Sequence, residues 1–416
     1  MPEFLDLLPP GEALTHFLGC IHKLADFERI ETSFAQGRVT KNSHKAPHPL
    51  PTFARSTVDG YAVYASDTYG ASESLPIYLR LIGEVSMGST PDFNLSATEC
   101  GLIHTGGMLP PGADAVVMLE NTQVAKPGEI EILRSAAVGE NVIKVGEDIQ
   151  KGESVAAAGS LLRPADSGGL LALGITHIEV TKKPSIAIIS SGDEIVSPTA
   201  NIRPGQVRDI NSYTLSVLVE RAGAVPVRYG IVADDEEELY SVTKKALDEC
   251  DLVVITAGSS ASARDLTAQV INSFSGPGVI SHGVNVRPGK PTILAASNPV
   301  GSERAKPVIG LPGNPVSALV IAILFVEPVI DKLLGVHPPR IRPQVQAKLG
   351  INLASQAGRE DWIPVKLSLE QEGYSAEPIF GKSNLIFTLA RADGLLYIPP
   401  QATGLSSGDM VQVILL

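Results

Sequence analysis

Cysteine is scarce in this chain: Cys20, Cys100 and Cys250 are three among 416 residues, far apart and in no Cys-x-x-Cys spacing. An odd, scattered set argues against a disulfide framework and fits a reducing compartment, the cytoplasm. Positive charge is also in deficit, with 33 Lys and Arg against 45 Asp and Glu and a formal net charge of −12. No nucleic-acid or membrane-surface partner is expected, because either would call for a basic face. An anionic ligand must instead find a local basic pocket. The longest apolar run, Val316 to Val326, ends at Glu327-Pro328, too short for a bilayer, and reads as a buried helix. Met1-Pro-Glu-Phe lacks the basic start of a secretory signal. The eight histidines make no metal set, since Pro47 and Pro49 deny His44 and His48 a common helix face. No Walker A loop, Gly-x-Gly-x-x-Gly loop or Ser-His-Asp order can be defended.

What is present changes character along the chain. Leu14, Phe17, Leu18, Ile21 and Leu24 fall at helical spacing and predict an amphipathic helix from Gly11 to about Ala35. After the Pro-rich stretch Ala46-Pro-His-Pro-Leu-Pro, short β-like runs such as Ile77 to Ile82 and Ala115 to Leu119 continue to about Ala137. From Pro184 to Leu334, apolar strands (Ser185 to Ser190, Val225 to Val232, Leu252 to Thr256, Pro307 to Gly310) alternate with helical patterns (Tyr213 to Ala222, Glu236 to Glu249). That alternation predicts βαβ units on a mainly parallel sheet covered on both faces. Beyond Pro338-Pro339 the pattern is β again, predicting a small barrel or sandwich. The fold class is therefore α/β plus β in several domains: 1–50 with 138–183, a β-rich insertion over 51–137, an α/β domain over 184–336 and a β domain over 337–416.

Three strands of the α/β part run into loops of small or polar residues: Ser190-Ser-Gly-Asp-Glu, Thr256-Ala-Gly-Ser-Ser and Gly310-Leu-Pro-Gly-Asn-Pro. Ligands of open parallel sheets bind beyond the carboxyl ends of the strands, where such loops converge. In the third loop Pro312 and Gly313 should stop the strand near Gly310, Asn314 reads as an N-cap and Pro315 as the first helical residue. The N–H groups of such a start attract anions. Carboxylates at Asp193, Glu194, Asp209 and Asp265 are the oxygen donors that Mg²⁺ beside phosphates would use, although Asp209 just before a helix also reads as a cap. Arg287-Pro-Gly-Lys290-Pro is a basic turn whose prolines aim two cations, as capture of an oxyanion needs.

Taken in order, seven stretches resemble the molybdenum-insertion family of MoeA and the gephyrin E domain. They are Arg55-Ser-Thr-Val-Asp-Gly-Tyr-Ala, His104-Thr-Gly-Gly-Met-Leu-Pro-Pro-Gly-Ala-Asp-Ala-Val, Gly146-Glu-Asp, Ser191-Gly-Asp-Glu, Asp209-Ile-Asn-Ser, Arg287-Pro-Gly-Lys-Pro and Leu311-Pro-Gly-Asn-Pro-Val-Ser. The resemblance runs nearly the whole chain. It implies a molybdopterin molybdenumtransferase of cofactor biosynthesis: Mg²⁺-dependent insertion of molybdate into adenylated molybdopterin, with release of AMP. It also implies an elongated homodimer with a linker and dimerisation domain, the active cleft shared so that Asp59 and Asp265 meet across subunits. By the same resemblance Asp59, Thr105, Asp148, Glu194 and Asp265 line that cleft, with Asp209 and Asp265 at the Mg²⁺ end. Ser191, Gly192, Gly258, Ser260, Pro312, Gly313, Asn314 and Pro315 fall in the loops that face the pterin cofactor. Arg287, Lys290, Ser317, Arg359 and Ser383 gather around molybdate, and Lys382 is added to them here. Partners would be small-molecule substrates, an upstream adenylyltransferase and molybdoenzyme acceptors.

Two departures matter. The family's Gly-Gly-Val-Ser-x-Gly-x-x-Asp loop appears as Ala257-Gly-Ser-Ser-Ala-Ser-Ala-Arg-Asp265, with Ala257 and Ser262 in place of glycines. If either backbone needs φ > 0 or a close approach to the ligand, the side chain would cost roughly 1 kcal/mol or more. This loop is what separates the transferase from the alternative, a molybdopterin- or cofactor-binding carrier or sensor without turnover. A scaffold role is a third reading. The family's Ser-Gly pair near the C-terminus appears as Ser383-Asn384, preceded by the extra Lys382.

Overall fold

The computed structural model describes residues 7–24, 26–257, 261–299, 301 and 304–416, with side chains at all of these except 261–265. The chain forms two compact units, one of residues 43–157 and 164–176, the other of residues 1–42, 158–163 and 177–416.

In the first unit six short strands make one sheet in the order Ala115–Met118, Gly60–Val63, Glu99–Ile103, Ile77–Val85, Glu129–Ile132, Thr122–Lys126. Both faces are covered: Tyr61, Val63, Leu79, Ile130 and Ile132 pack on one side, Ala62, Val85, Ile103 and Val116 on the other. Ile77–Val85 runs parallel to Glu99–Ile103, and Gly60 lies opposite Ile103 on the antiparallel neighbour. Three loops therefore meet at one end of the sheet. Gly60 is obligatory there, because a Cβ would stand 2.1 Å from the Val117 carbonyl oxygen.

The second unit holds the α/β sheet, ordered Val225–Val232, Ser185–Ser191, Leu252–Ala257, Lys306–Pro312, Ile293–Ser297, Gly278–His282. The first four strands are mutually parallel, Ile293–Ser297 runs antiparallel to them, and Gly278–His282 is antiparallel to Ile293–Ser297 in turn. Continuous apolar runs let helices cover both faces: Glu236–Glu249 contributes Leu239 and Leu247 to one core, Asn211–Arg221 and the helix from Pro315 contribute Leu215, Val219, Val320 and Phe325 to the other. Chain direction across the sheet reverses between Ser185–Ser191 and Leu252–Ala257, the switch point where α/β proteins bind ligands. The run Val316 to Val326 is a buried helix, as read from the sequence, with a π-helical stretch at Ala322–Val326. That stretch accommodates Pro328, which cannot donate to the turn behind it.

Two readings need correction. The helix placed at Gly11 to Ala35 spans Pro10–Gly19 only, and Phe27–Glu31 is a strand paired antiparallel with His177–Thr181. Phe17 and Ile21 are both buried, so the apolar spacing survives the helix end, where the chain turns. The strand expected to stop near Gly310 continues to Pro312, whose ring is tolerated at the terminal pairing with Ala257.

Residues 344–415 form a closed five-stranded barrel: Glu360–Glu370, Gly373–Pro378, Gln344–Leu349, Met410–Leu415, Gly394–Ile398, and back to Glu360–Glu370. The barrel is fastened to the α/β domain in two ways. Arg340 bonds Asp331 at 2.8 Å, with Arg342 beside Glu327 at 3.6 Å. Burial pushes the Asp331 carboxyl up despite that guanidinium. On the other side Val286–Arg287 adds a strand to the barrel, parallel to Glu360–Asp361. This second link builds the cleft described next.

Candidate functional site

A cleft of about 1140 Å³ lies where the α/β domain meets the barrel. Its walls are the turn Asn285–Pro291, the start of the helix at Asn314–Ser317, and the barrel segments 352–364 and 379–383. The pairing of Arg287 with Asp361 brings the basic turn beside Arg359. Gly289 has φ +116°, and a Cβ on it would stand 2.4 Å from the Ile321 side chain, so the turn sits directly on the helix. Arg287, Lys290, Ser317, Arg359, Lys382 and Ser383, the six residues expected at the oxyanion, all line this one cleft together with Pro312 and Asn314. Four of its lining side chains are cationic and one, Asp361, is anionic, a formal +3 on a chain of net charge −12. Field lines in such a low-dielectric pocket attract anions.

The helix start behaves differently from expectation. Asn314 is the N-cap and Pro315 the first helical residue, but the Asn314 amide makes no cap bond and donates to Ser383 Oγ at 3.0 Å. The Val316 N–H donates to the Ser383 carbonyl at 3.0 Å. One of the N–H groups expected to face an anion is thus engaged by the barrel loop, which it anchors. Cationic side chains dominate the cleft.

At the carboxyl ends of the parallel strands a second set of polar groups converges. Asp209 is 5% exposed; its Oδ2 accepts from Ser190 Oγ at 3.0 Å and Ser212 Oγ at 2.5 Å, its Oδ1 from the Ser212 N–H at 3.1 Å. It therefore caps the following helix, the alternative its position suggested. Ser191 Oγ donates to Asp234 at 2.9 Å, and Gly192 bonds Val232 through its N–H. Asn211 donates to the Gly313 carbonyl at 2.8 Å, tying the Leu-Pro-Gly-Asn loop to this cluster. Glu194 is half-buried beside exposed Asp193. Gly258 and Ser260 lie outside the described residues, as does the side chain of Asp265. Ala257 ends a regular strand opposite Pro312 and is not among the positive-φ residues, so its methyl group carries no backbone strain.

In the other unit, Asp59 and Thr105 meet. Asp59 Oδ1 accepts from the Thr105 N–H at 2.8 Å and from its hydroxyl at 3.2 Å. His104, which sequence reasoning passed over, stands between two carboxylates, with Nε2 2.9 Å from Glu84 and Nδ1 3.7 Å from Asp59. The strand register could not be read from sequence, and it alone makes these three neighbours. Asp148 is exposed on a turn whose N–H bonds the Leu50 carbonyl; among the described residues no hydrogen bond joins it to Asp59 or Thr105. The Thr105 N–H holds the Asp59 carboxyl below its ordinary range, against a weaker opposing effect of desolvation. Any stability from this carboxylate is therefore present above the ordinary aspartate pKa and lost as pH falls through the depressed value. Asp59→Asn should lower the melting temperature at neutral pH and match the unsubstituted chain below that value; an equal deficit at both would refute the assignment.

Among the described residues no three His, Cys, Asp or Glu side chains are grouped as a metal site. Oxygen donors near the switch point suit Mg²⁺ chemically, and this ion commonly takes only one or two carboxylates plus substrate phosphates. Glu194 fits that pattern better than Asp209, whose oxygens already accept three hydrogen bonds.

Comparison with known proteins identifies the family. Residues 8–174 match the MoeA N-terminal region (domains I and II), 187–332 a probable molybdopterin binding domain, and 346–416 the MoeA C-terminal region (domain IV). A molybdopterin molybdenumtransferase of a Nostoc species is 32% identical across 94% of this chain and 88% of its own. The Bacillus subtilis molybdopterin molybdenumtransferase is 30% identical over 89% and 85%. The crystal structure of a molybdopterin biosynthesis MoeA protein from Pyrococcus horikoshii OT3 superposes with a TM-score of 0.84 at 32% identity, covering 99% of this chain and 100% of that one. The chain belongs to the MoeA family of molybdopterin molybdenumtransferases.

Proposed function

We propose that this protein performs metal insertion in molybdenum cofactor biosynthesis, placing molybdate into adenylated molybdopterin with release of AMP. The observation that carries the reading is the cationic cleft, with Arg287, Lys290, Arg359 and Lys382 converging on one cavity of an acidic chain. A tetrahedral oxyanion needs fixed cations and hydroxyl or N–H donors, here guanidinium groups and the Ser317 and Ser383 side chains. Cleavage of a phosphoanhydride calls for positioning and charge neutralisation more than for a protein nucleophile. Ser191, Asn211 and the Gly313 carbonyl order the loops at the switch point, where the pterin end would lie. Mg²⁺, when bound, would neutralise phosphate charge there, with Glu194 as a carboxylate to hold it; Asp265, the other one the resemblance implies, has its side chain outside the described residues. The carrier alternative drew on Ala257 and Ser262, and the ordinary strand geometry at Ala257 removes the backbone-strain argument at that position. Mixing the protein with adenylated molybdopterin, molybdate and Mg²⁺ should release AMP in step with cofactor formation. Binding of the pterin without AMP release would favour the carrier.

Lys382 is exposed, so its contribution to an oxyanion is limited to about 1 kcal/mol or less by screening. Lys382→Ser should weaken molybdate about threefold at low salt and flatten the salt dependence. An unchanged isotherm at two ionic strengths would remove this lysine from the site.

A homodimer is proposed as well. The edge strand Val225–Val232 exposes Val225 and Ile231, and the adjoining helix exposes Val217 at 66%, an apolar surface of the kind found at interfaces. Small-angle scattering at micromolar concentration should give twice the chain mass, and an active monomer would refute it.

A further inference from the structure

Asp361 was not singled out from the sequence, yet it is the most enclosed charged group of the cleft, at 1% exposure. Its Oδ1 accepts from Arg359 Nε at 2.8 Å, and its Oδ2 accepts from Ser355 Oγ at 2.9 Å and from Arg359 Nη2 at 3.4 Å. Arg287 Nη1 stands 3.8 Å from the same Oδ2. A carboxylate buried to this degree persists only when paired and hydrogen-bonded. As a charge, however, it opposes the ligand, since an anion inside an anion site repels what the site must hold. Its benefit must therefore be geometric. The guanidinium is a rigid planar fork of five donors, and engaging Nε and Nη2 along one edge sets the plane of the whole group. Arg359, so held, lines the cleft, and the strand pairing of Arg287 with Asp361 keeps the second guanidinium alongside.

We propose that Asp361 is a positioning residue of the oxyanion cleft, holding Arg359 and, less tightly, Arg287 in the orientation that receives the ligand; the inference rests on the oxyanion reading given above. Asp361→Asn makes the sign of the effect decisive. It removes a negative charge from a cleft that binds anions, so electrostatics alone would tighten binding. Loss of guanidinium alignment would loosen it.

Calorimetric titration of the full chain with molybdate, and separately with tungstate, tests the proposal in the unsubstituted protein, Asp361→Asn, Arg359→Ala and the double variant. Asp361→Asn should weaken both oxyanions by about fivefold, and in the Arg359→Ala background the same substitution should be neutral or favourable, because nothing is left to align. A merely structural role would lower affinity equally in both backgrounds. Should Asp361→Asn fail to fold, Ser355→Ala, which removes one hydroxyl from Oδ2, should show about a twofold loss with the same dependence on Arg359. Unchanged or tighter binding in the foldable variant, or an equal loss in both backgrounds, overturns the positioning role. An unsubstituted chain that binds neither oxyanion overturns the oxyanion reading itself, and the inference with it.

Discussion

Arg359→Ala is expected to weaken molybdate binding by at least about tenfold and to lower the melting temperature as well. A charge-assisted hydrogen bond contributes roughly 1.5–3 kcal/mol, and about 1.4 kcal/mol is a factor of ten in affinity. The guanidinium side chain is 27% exposed and held by Asp361, so it enters the complex with little ordering left to do. Its removal also strands a carboxylate that is 2% exposed, leaving it with Ser355 and the more distant Arg287. Breaking a buried pair costs about 3–5 kcal/mol; with Arg359 partly in solvent the loss here should lie nearer 1–2 kcal/mol. Thermal melts and titrations of the same preparation measure both effects. Full affinity with an unaltered melt would remove Arg359 from the site and from the fold's support.

Lys290→Ala is expected to cost affinity without stability. The side chain is exposed and makes no ion pair with any acidic group among the described residues, so nothing in the fold depends on its charge. It is nonetheless carried on a turn that Gly289 and Ile321 hold against the helix, with Pro291 following. A loss of about tenfold in molybdate affinity at low ionic strength, shrinking as salt rises, follows from a pre-aimed but solvent-screened cation. The melting temperature should stay within experimental error. A salt-independent loss would mean that the turn itself had moved.

The contrast between these two residues shows what could be read in advance. The basic turn was legible because prolines around Arg287 and Lys290 mark a fixed backbone carrying two charges within four positions. The α/β elements were legible for a similar reason: Val225–Val232 and Glu236–Glu249 have the bounds read from sequence, the second set by Asp235, whose carboxylate caps the Glu238 N–H at 2.9 Å. Asp361 was hidden because its burial depends on pairing Arg287 with a strand some seventy residues later, which no local pattern encodes. Period-two alternation would have put Arg359 and Asp361 on one face, but not inside a cleft. Phe27–Glu31 was misread on the same grounds, since its partner His177–Thr181 lies far along the chain while the helical spacing before it continues past the helix end. The antiparallel strands Gly278–His282 and Ile293–Ser297 were likewise unassigned, and His104 became a neighbour of Asp59 and Glu84 only through strand register.

The placement of the oxyanion is the claim on which the rest depends, and molybdenum reports its own position. Crystals soaked in millimolar molybdate, measured at the molybdenum absorption edge, should give an anomalous peak within hydrogen-bonding distance of Arg359 and Lys290, close to Ser317 and Ser383. Occupancy should fall in Arg359→Ala crystals soaked identically. A strong peak elsewhere on the protein, with this cleft empty at saturating molybdate, would contradict the assignment of the cleft as the metal-insertion site.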